Sequence, residues 1–445
     1  MMSICSVHEA RVEINFSRNA ASVVRQRQPC SHGNLMSTQR ALFDLLFYEL
    51  FSRKDSKSSA AFAPHLMVAL LMEADSAGQN ALEQGCARCH ERQGTLNVRN
   101  EHLCKHCFLN YVGVKVSKRL ESNNLRRSLR DEPKNLLVAL SLGPSSLAML
   151  HVLDQNAQRQ CQRTGRAGYK LHVLFIDPPS HGHDKDAGDD TFTLLKETYA
   201  GHTYLRRPLE DVLDEISSDF LHTFQTSGLV SGTDGNKQGA SPKSVRFEMM
   251  LAKMASDGST GDVVNVLRDR LIASVASKNN IDAILYGDST TRLAEKTLSE
   301  AARGRGAFIP WVTADGPLPH GPLVIYPMRD LFRKELITYT ELVGESLRSL
   351  VQGTELFGVA PASSKGFSID RLMQQYFTAV EENYPSVVSN VVRTSTKLEA
   401  PQVEADLQLC SFCNLPVLEE EGPRHHQTVE KLLCYGCRRM IIEPG

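Results

Sequence analysis

Four pairs of cysteines, each spaced C-x-x-C, constrain the fold of this chain more than any other feature. They form two modules, CARCHERQGTLNVRNEHLCKHC near residue 86 and CSFCNLPVLEEEGPRHHQTVEKLLCYGC near residue 410. Two such knuckles bring four thiolates into one tetrahedron, the arrangement that Zn²⁺ prefers. The spacing predicts two structural zinc sites without an open position for catalysis. Their ligands are Cys86, Cys89, Cys104 and Cys107 in the first module, and Cys410, Cys413, Cys434 and Cys437 in the second.

The three cysteines outside the C-x-x-C pairs help to decide whether the modules bind metal or form disulfides. Cys5, Cys30 and Cys161 have no C-x-x-C partner, and the total of 11 is odd. A secreted disulfide framework is therefore disfavoured, since such frameworks use even numbers in short chains. An iron–sulfur cluster is also bound by thiolates and stays open as the alternative occupant. A RING-like cross-brace does not fit, because the two modules lie at opposite ends of the chain.

The overall composition is that of a globular protein. Of 445 residues, 41% are hydrophobic and 23% are charged, and 50 Lys and Arg face 51 Asp and Glu. The net charge of −1 excludes a globally basic nucleic-acid coat but not a local basic patch. No apolar run approaches the ~18 residues of a membrane span, and no secretory signal is expected. Residues 1–84 are interpreted as an extension, with a transit peptide or translated upstream sequence left open.

Short apolar runs alternate with helical periods between the two modules. Leu136–Leu140, Leu171–Ile176 and Ala283–Tyr286 are predicted strands, and Val263–Ser277 has the spacing of a helix. This alternation predicts an α/β fold with a doubly wound parallel sheet. We expect four parts: an extension at 1–84, a zinc knuckle module with a basic helix at 85–134, an α/β domain at 135–400 and a zinc ribbon module at 401–445.

The loop after the first predicted strand has the pattern S-x-G-x-x-S and leads into a helix. Backbone N–H groups at such a turn, together with the helix N-terminus, can bind a phosphate. The alternative is an ordinary turn, in which Gly143 takes a positive φ and a serine caps the helix. The candidate nucleotide-binding residues are Ser141, Gly143, Ser145 and Ser146, with Asp177 at the end of the second predicted strand.

A basic stretch precedes the first strand. Lys115–Lys134 contains seven Lys or Arg and three acids, a net charge of +4, and is predicted to be largely helical. Such a helix could follow RNA phosphates, although a solvated helix face is the simpler interpretation of an isolated basic run. The candidate RNA-binding residues are Lys115, Lys118, Arg119, Arg126, Arg127 and Arg130, with Arg303 and Arg305 in the loop RGRG.

The order of these elements resembles the PP-loop ATP-pyrophosphatases that thiolate tRNA. Within them, the chain is most similar to the cytoplasmic tRNA 2-thiolation protein 2 family, over roughly residues 85–440. The resemblance depends on the two cysteine modules flanking the loop, on PSVVSNVV at Pro385–Val392 and on VIYPMRDLFRKEL at Val324–Leu336. It implies a PP-loop core flanked by two small zinc modules.

Several positions depart from the pattern of the active thiolases. The family loop is S-G-G-x-x-S, whereas Leu142 stands at its first glycine. The central C-x-x-C corresponds to Gly261–Val264, and the third cysteine corresponds to Leu356. The G-H-N-x-D-D segment is replaced by Gly287–Arg292, although Glu295 is kept. Cys161 is the only cysteine between 108 and 409, so the thiolase chemistry is expected to be absent.

The resemblance implies a function for the chain as a non-catalytic subunit. It would form a cytoplasmic heterodimer with the catalytic thiolase, and help bind the tRNAs for Lys, Glu and Gln. In the family mechanism, ATP adenylates wobble uridine U34, and sulfur from a thiocarboxylated ubiquitin-like carrier displaces AMP. The family is also linked to conjugation of that carrier to proteins (urmylation). ATP binding by the altered loop would be weak. The alternatives are an active ATP-dependent thiolase and a zinc-dependent scaffold without a nucleotide or RNA role.

Overall fold

The protein is described here by a computed structural model. The structure describes residues 85–125, 132–178, 185–217, 220–221, 242–252, 257–319, 321–352, 369–401, 408–418 and 433–441. The predicted extension at 1–84 lies outside these ranges. No helix in the described part of the chain is long and apolar enough to cross a bilayer.

The chain alternates between strands and helices, as its apolar pattern predicts. The strands are β1 (Leu96–Val98), β2 (Glu101–Leu103), β3 (Lys134–Leu140), β4 (Tyr169–Asp177), β5 (Thr203–Pro208), β6 (Ala283–Tyr286), β7 (Gly316–Pro317) and β8 (Leu323–Ile325). The α-helices are α1 (Lys105–Ser122), α2 (Pro144–Thr164), α3 (Lys185–Thr198), α4 (Pro242–Ala252), α5 (Asp257–Lys278), α6 (Thr290–Ala302), α7 (Ile309–Thr313), α8 (Arg333–Val343), α9 (Glu345–Arg348), α10 (Ile369–Asn383), α11 (Pro385–Ser395) and α12 (Tyr435–Ile441).

The main sheet has six strands in the order β5-β4-β3-β6-β8-β7. All neighbours are parallel except β7 and β8, which are antiparallel. After β3 the chain adds β4 on one side and later β6 on the other, so the strand order reverses between β3 and β6. In doubly wound folds, ligands bind in the crevice beside the carboxyl ends of the two strands at such a switch point. The fold therefore directs attention to the loops that follow β3 and β6.

The sheet separates two apolar cores, and each core contains one cysteine module. Alternate residues of β3 point to opposite faces, as the period of a strand requires. Leu137 belongs to the core that contains Cys410, Cys413, Cys434 and Cys437. Leu136 and Val138 belong to the core that contains Cys86 and Cys104. Both modules are thus packed into the body of the protein.

The structure confirms the α/β fold class and corrects one local prediction. The basic stretch is not helical throughout, because α1 ends at Ser122 and Lys134 already belongs to β3. The antiparallel edge strand β7 has only two residues, too few to show an alternating pattern in the sequence.

The turn after β6 packs directly on the start of α2, and this contact requires a glycine. A Cβ added to Gly287 would lie 2.6 Å from Ser146 Cα. We predict that Gly287→Ala lowers the free energy of unfolding by about 1–3 kcal/mol, because the clash is with backbone that cannot rotate away. Urea denaturation would measure this loss. Gly201→Ala is the control, since nothing lies within 4 Å of its Cβ, and equal stability of the two variants would contradict the prediction.

Candidate metal centres and nucleotide cleft

The first cysteine module brings its four predicted ligands together. The hairpin of β1 and β2 leads into α1, so that Cys104 caps the helix and Cys107 lies in its first turn. The ligand sulfurs of Cys86, Cys89, Cys104 and Cys107 all lie within 4.8 Å of one another. The Sγ atoms of Cys89 and Cys104 are 3.9 Å apart, and the backbone N–H of Cys104 donates to Cys86 Sγ at 3.3 Å.

The second module forms an equivalent site from residues far apart in the sequence. The Sγ atoms of Cys410, Cys413, Cys434 and Cys437 also lie within 4.8 Å of one another. The Sγ atoms of Cys413 and Cys434 are 3.8 Å apart. Sulfurs about 2.3 Å from one tetrahedral ion are about 3.8 Å from each other. Four thiolates at this separation fit one metal ion in each module.

Two buried arginines attach the second module to the core. Arg270 on α5 donates to the carbonyl oxygens of Ser411 and Phe412, the latter at 2.9 Å. Arg305 donates through Nη1 to Cys437 Sγ at 3.5 Å and through Nε to Glu300 at 2.7 Å. Its side chain reaches the sulfur beside Gly436, where a Cβ would lie 2.2 Å from Arg305 Cγ. These hydrogen bonds offset the negative charge of the thiolates in a region that excludes water.

The loop after β3 is stabilised mainly by hydrogen bonds among its own serines. Ser146 Oγ donates to the carbonyl of Gly143 at 3.1 Å and accepts from the backbone N–H of Ser141 at 3.3 Å. The hydroxyl oxygens of Ser141 and Ser146 are 3.2 Å apart. The half-buried Ser145 also lines the adjoining cavity. The loop joins β3 to α2, and the hydroxyl groups of Ser141 and Ser146 already have partners within it.

The strained residue of this loop is Leu142, not Gly143. Leu142 has a φ of 57°, whereas Gly143 has a φ of −80° and is itself the N-cap of α2. The alternative interpretation, with a positive φ at Gly143 and a serine cap, was therefore wrong. A left-handed conformation costs a non-glycine residue about 1–2 kcal/mol. Burial of the Leu142 side chain, which is only 1% exposed, offsets that cost.

Asp177 lies at the end of β4, as predicted, and is engaged by an arginine. Arg206 Nε on β5 is 2.9 Å from both carboxylate oxygens of Asp177. The guanidinium group of Arg206 also lies 5.5 Å from the centroid of the Phe192 ring. Both charged side chains line the same cavity as the serine loop.

A cavity of about 1860 Å³, here called the cleft, opens at the switch point of the sheet. Its wall is formed by the ends of β3 and β4, the turn after β6, the helices α5 and α6, and the segment Cys413–Leu415. Ligand pockets for small molecules typically measure about 300–1,000 Å³, so the cleft could accommodate a larger group such as a nucleotide within a polymer. Many of its lining side chains are charged.

Glu295 holds two of the cleft arginines in the interior. Its side chain is fully buried, and its carboxylate lies 3.1 Å from Arg292 Nη1 and 2.7 Å from Arg333 Nη2. The cluster has two positive charges and one negative charge. Arg333 Nη1 is buried and has no hydrogen-bond partner among the described residues. Asp288 and Asp370 also act on Arg292, so the group here that could bind an anion is Nη1 of Arg333.

A second ion pair lies at the turn after β6. Lys296 Nζ is 2.7 Å from Asp288 and also lies 5.2 Å from the centroid of the Tyr286 ring. Burial alone would raise the pKa of Asp288, but Lys296 and Arg292 outweigh it, so the pKa lies below its usual value. Asp288 is therefore ionised at neutral pH and poorly suited to donate a proton.

The position expected for the central cysteine pair holds an ion-pair network instead. Asp262 on α5 pairs with Arg303, which also lies 2.9 Å from Asp370 and 3.3 Å from Glu300. Because Glu300 also binds Arg305, the network runs continuously from the cleft to the second metal centre. The predicted third cysteine position, Leu356, lies outside the described residues. Among the described side chains, the position expected for the central cysteine pair has no thiol, and its carboxylates are paired with arginines.

The network corrects the prediction that Arg303 and Arg305 extend from a flexible loop to RNA. The side chain of Arg303 is 11% exposed and that of Arg305 is 5% exposed. Both face inward, because each pairs with buried carboxylates of α6 or α5. The flanking glycines suggested freedom, but Gly304 instead makes room for a neighbouring aromatic ring.

The predicted basic face of α1 is only partly described. Lys118 is exposed, and Lys115 lies 5.7 Å from the centroid of the Tyr111 ring. Arg119 is held inward by Asp315 at 2.7 Å. The remaining predicted contacts, Arg126, Arg127 and Arg130, lie outside the described residues.

Sequence reasoning did not identify Arg333 as a cleft residue. It lies within VIYPMRDLFRKEL, but no spacing in that segment indicates which arginine turns inward. The contact with Glu295 depends on packing between α6 and α8 and becomes visible only in three dimensions. Arg292 was recognised only as part of a departure from an acidic motif, and Lys296, four residues later on α6, was not identified.

Comparison with known proteins links the chain to one protein family. The family model for cytoplasmic tRNA 2-thiolation protein 2 matches residues 368–430. A protein of that name from Pyrenophora tritici-repentis is 37% identical over 376 residues, covering 81% of this chain and 96% of its own length. Another from Sclerotinia sclerotiorum is 39% identical over 306 residues, covering 69% of this chain and 80% of its own.

A solved structure shares the fold. The U34-tRNA thiolase NcsA from Methanococcus maripaludis, determined with its [4Fe-4S] cluster, superposes with a TM-score of 0.51 at 16% identity. The match covers 75% of this chain and 93% of the thiolase chain. This similarity confirms the predicted PP-loop architecture.

Cysteine substitutions test the metal centres. We predict that the purified chain holds one metal ion per cysteine group and that Cys437→Ser releases one of the two. The same change lowers stability, because Cys437 is fully buried in the core and its metal closes the module. Elemental analysis and thermal unfolding measure both effects. Cys161→Ser, at an exposed lone cysteine, leaves metal content and melting temperature unchanged, and equal metal content in both variants would refute the assignment.

Substitution of Glu295 tests the charged cluster of the cleft. We predict that Glu295→Gln lowers the free energy of unfolding by about 3–5 kcal/mol, because it removes the carboxylate paired with the buried guanidinium group of Arg333 and one of the counter-charges of Arg292. Chemical denaturation monitored by circular dichroism provides the measurement. Glu341→Gln changes an exposed glutamate and should alter stability by less than about 0.5 kcal/mol. A similarly small effect at Glu295 would show that the cluster is not a coupled buried unit.

Proposed function

The chain belongs to the cytoplasmic tRNA 2-thiolation protein 2 family, and on that basis we propose that it functions as a non-catalytic subunit in tRNA 2-thiolation. The observation that carries the proposal is the buried network of Asp262, Arg303 and Asp370 where an active thiolase is expected to hold cysteines. Carboxylates and guanidinium groups cannot carry sulfur as a persulfide or bind a soft metal cluster. The fold of a thiolase thus serves binding in this chain. The predicted cytoplasmic location agrees with the name of its relatives.

Sulfur transfer therefore requires a second protein. We propose a heterodimer with a catalytic thiolase, which adenylates U34 with ATP and accepts sulfur from a thiocarboxylated ubiquitin-like carrier. This chain would supply surface for the tRNAs for Lys, Glu and Gln. Its near-neutral net charge of −1 supports a local RNA-binding surface, completed by the partner.

Zinc is the proposed occupant of both cysteine modules. Four thiolates within 4.8 Å of one another fit a single tetrahedral ion. A four-iron cluster places each cysteine on a different iron and separates the sulfurs further. Zn²⁺ would neutralise part of the thiolate charge and hold each module in the core, without taking part in a reaction. The four-part division at 84, 134 and 400 remains part of this proposal.

ATP binding by the serine loop is proposed to be weak. The hydroxyl of Ser146 is committed to Gly143 and Ser141, and Leu142 places a buried side chain where the family loop has a glycine. A phosphate would have to displace these internal hydrogen bonds. Nη1 of Arg333, which has no hydrogen-bond partner among the described residues, supports some remaining affinity for anions.

Two lysines of α1, the half-buried Lys115 and the exposed Lys118, provide the test of RNA binding. We predict that Lys115→Glu with Lys118→Glu weakens binding of tRNA by about tenfold at physiological salt and reduces the salt slope of log K by about 2, since two phosphate contacts are lost. Filter binding or fluorescence anisotropy over a salt series measures both quantities.

Lys170→Glu is the control for this experiment. Lys170 is exposed but lies near the amino end of β4, at the edge of the sheet opposite to the cleft. Its replacement should leave the affinity and the salt slope within about twofold of the original values. Equal losses from both substitutions would indicate a non-specific charge effect and contradict a tRNA surface on α1.

A further inference from the structure

The second cysteine module presents an aromatic residue that the proposed function has not used. Tyr435 is the first residue of α12 and is 40% exposed, although both Cys434 before it and Cys437 after it are buried metal-site residues. Its position is therefore fixed by the thiolate cluster. Large aromatic side chains left exposed on a rigid element commonly mark a binding site.

Two arginines accompany the Tyr435 ring. The guanidinium carbons of Arg438 and Arg439 lie 5.5 Å and 5.9 Å from its centroid. The described segment from 433 to 441 contains no acidic residue. The combination places an aromatic ring beside two planar cationic groups. We call Tyr435, Arg438 and Arg439 the Tyr435 platform.

The ring is seated on the backbone of the neighbouring loop. Gly304 has a φ of 72°, and a Cβ at this position would lie 2.4 Å from Tyr435 Cε1. Only glycine leaves room for the ring at this approach. The glycines of the RGRG segment thus hold Tyr435 in place, while the flanking Arg303 and Arg305 are used in the interior.

The platform lies beside the cleft. Arg303 and Arg305, on either side of Gly304, line the cleft, and so does Cys413–Leu415 of the same cysteine module. A polyanion that entered the cleft would therefore pass close to Tyr435. No other group on this part of the described surface combines an exposed aromatic ring with two guanidinium groups.

We propose that the Tyr435 platform binds an unpaired nucleobase of RNA, with the base in contact with the Tyr435 ring and phosphates near Arg438 and Arg439. Single-stranded RNA is recognised by stacking of bases on aromatic rings and guanidinium planes. Stacking requires a base that is not paired, as in a loop. This inference rests on the proposed tRNA-binding function and assigns a further part of its RNA surface.

The test compares single-stranded and duplex RNA. Affinities of the full metal-loaded chain are measured for tRNA, a short single-stranded RNA and the same sequence as a duplex. We expect Tyr435→Ala to weaken binding of the single strand and of tRNA about fivefold or more, with a smaller change for the duplex. Tyr435→Phe should retain the affinity, because the ring and not the hydroxyl makes the contact.

Tyr384→Ala serves as the matched control. Tyr384 is 65% exposed, and no Lys or Arg of the described residues stacks on its ring. Its loss should not change RNA affinity. Equal affinities of the Tyr435→Ala and Tyr384→Ala variants, or a loss in Tyr435→Phe as large as in Tyr435→Ala, would overturn the platform.

Two further readouts separate the remaining outcomes. Metal content checks that each variant is folded. If Tyr435→Ala loses its metal, Arg439→Gln, at an exposed residue, replaces it as the test variant and is expected to weaken RNA binding. An unchanged RNA affinity of Arg439→Gln would then overturn the platform. If a Tyr435 variant keeps its RNA affinity but no longer binds the partner subunit, the platform is also overturned, because the surface is then a protein contact. If the unmodified chain binds none of the RNAs, the proposed function fails. If the unmodified chain binds RNA and the Tyr435 variants bind it with the same affinity, the platform alone fails.

Discussion

The carboxylate of Glu300 connects the two halves of the functional region. It binds Arg305 at 2.7 Å and Arg303 at 3.3 Å. Through Arg305 it reaches the thiolate of Cys437, and through Arg303 it reaches Asp262 and Asp370 in the cleft. Each of these charges is buried and would be costly without its neighbour. The position of the second metal centre and the shape of the cleft therefore depend on one another.

This dependence explains how the fold of a thiolase can persist without its chemistry. In a cleft at the switch point of a parallel sheet, buried positions must be occupied by groups that satisfy one another. Where thiols are absent, paired charges fill the space and fix the helices α5, α6 and α10 around it. The result is a rigid cavity lined by paired charges, with Arg292 and Arg333 beside Glu295. In the proposed function such a cavity holds a polyanion, and a partner carries out the sulfur chemistry.

Much of the architecture could be predicted from the sequence, because it depends on strong periodic signals. β6 has the predicted bounds, the predicted helix over Val263–Ser277 lies within α5, and the paired cysteines meet as their spacing indicates. The side-chain environment of single residues could not be predicted. The glycines around Arg303 and Arg305 resemble a flexible loop, yet they allow Tyr435 and buried arginines to pack closely. Gly143 was expected in the left-handed region, but burial of the Leu142 side chain places the positive φ one residue earlier.

The most direct test of the account is a thiolation assay with separated components. This chain, the catalytic partner and the pair of proteins are each incubated with tRNA, ATP and a sulfur donor, and 2-thiouridine is measured by mass spectrometry. The account predicts no product from this chain alone and more product from the pair than from the partner alone. Turnover by this chain alone would contradict it, because the only thiol that lines the cleft among the described residues is Cys413, which belongs to the second metal centre.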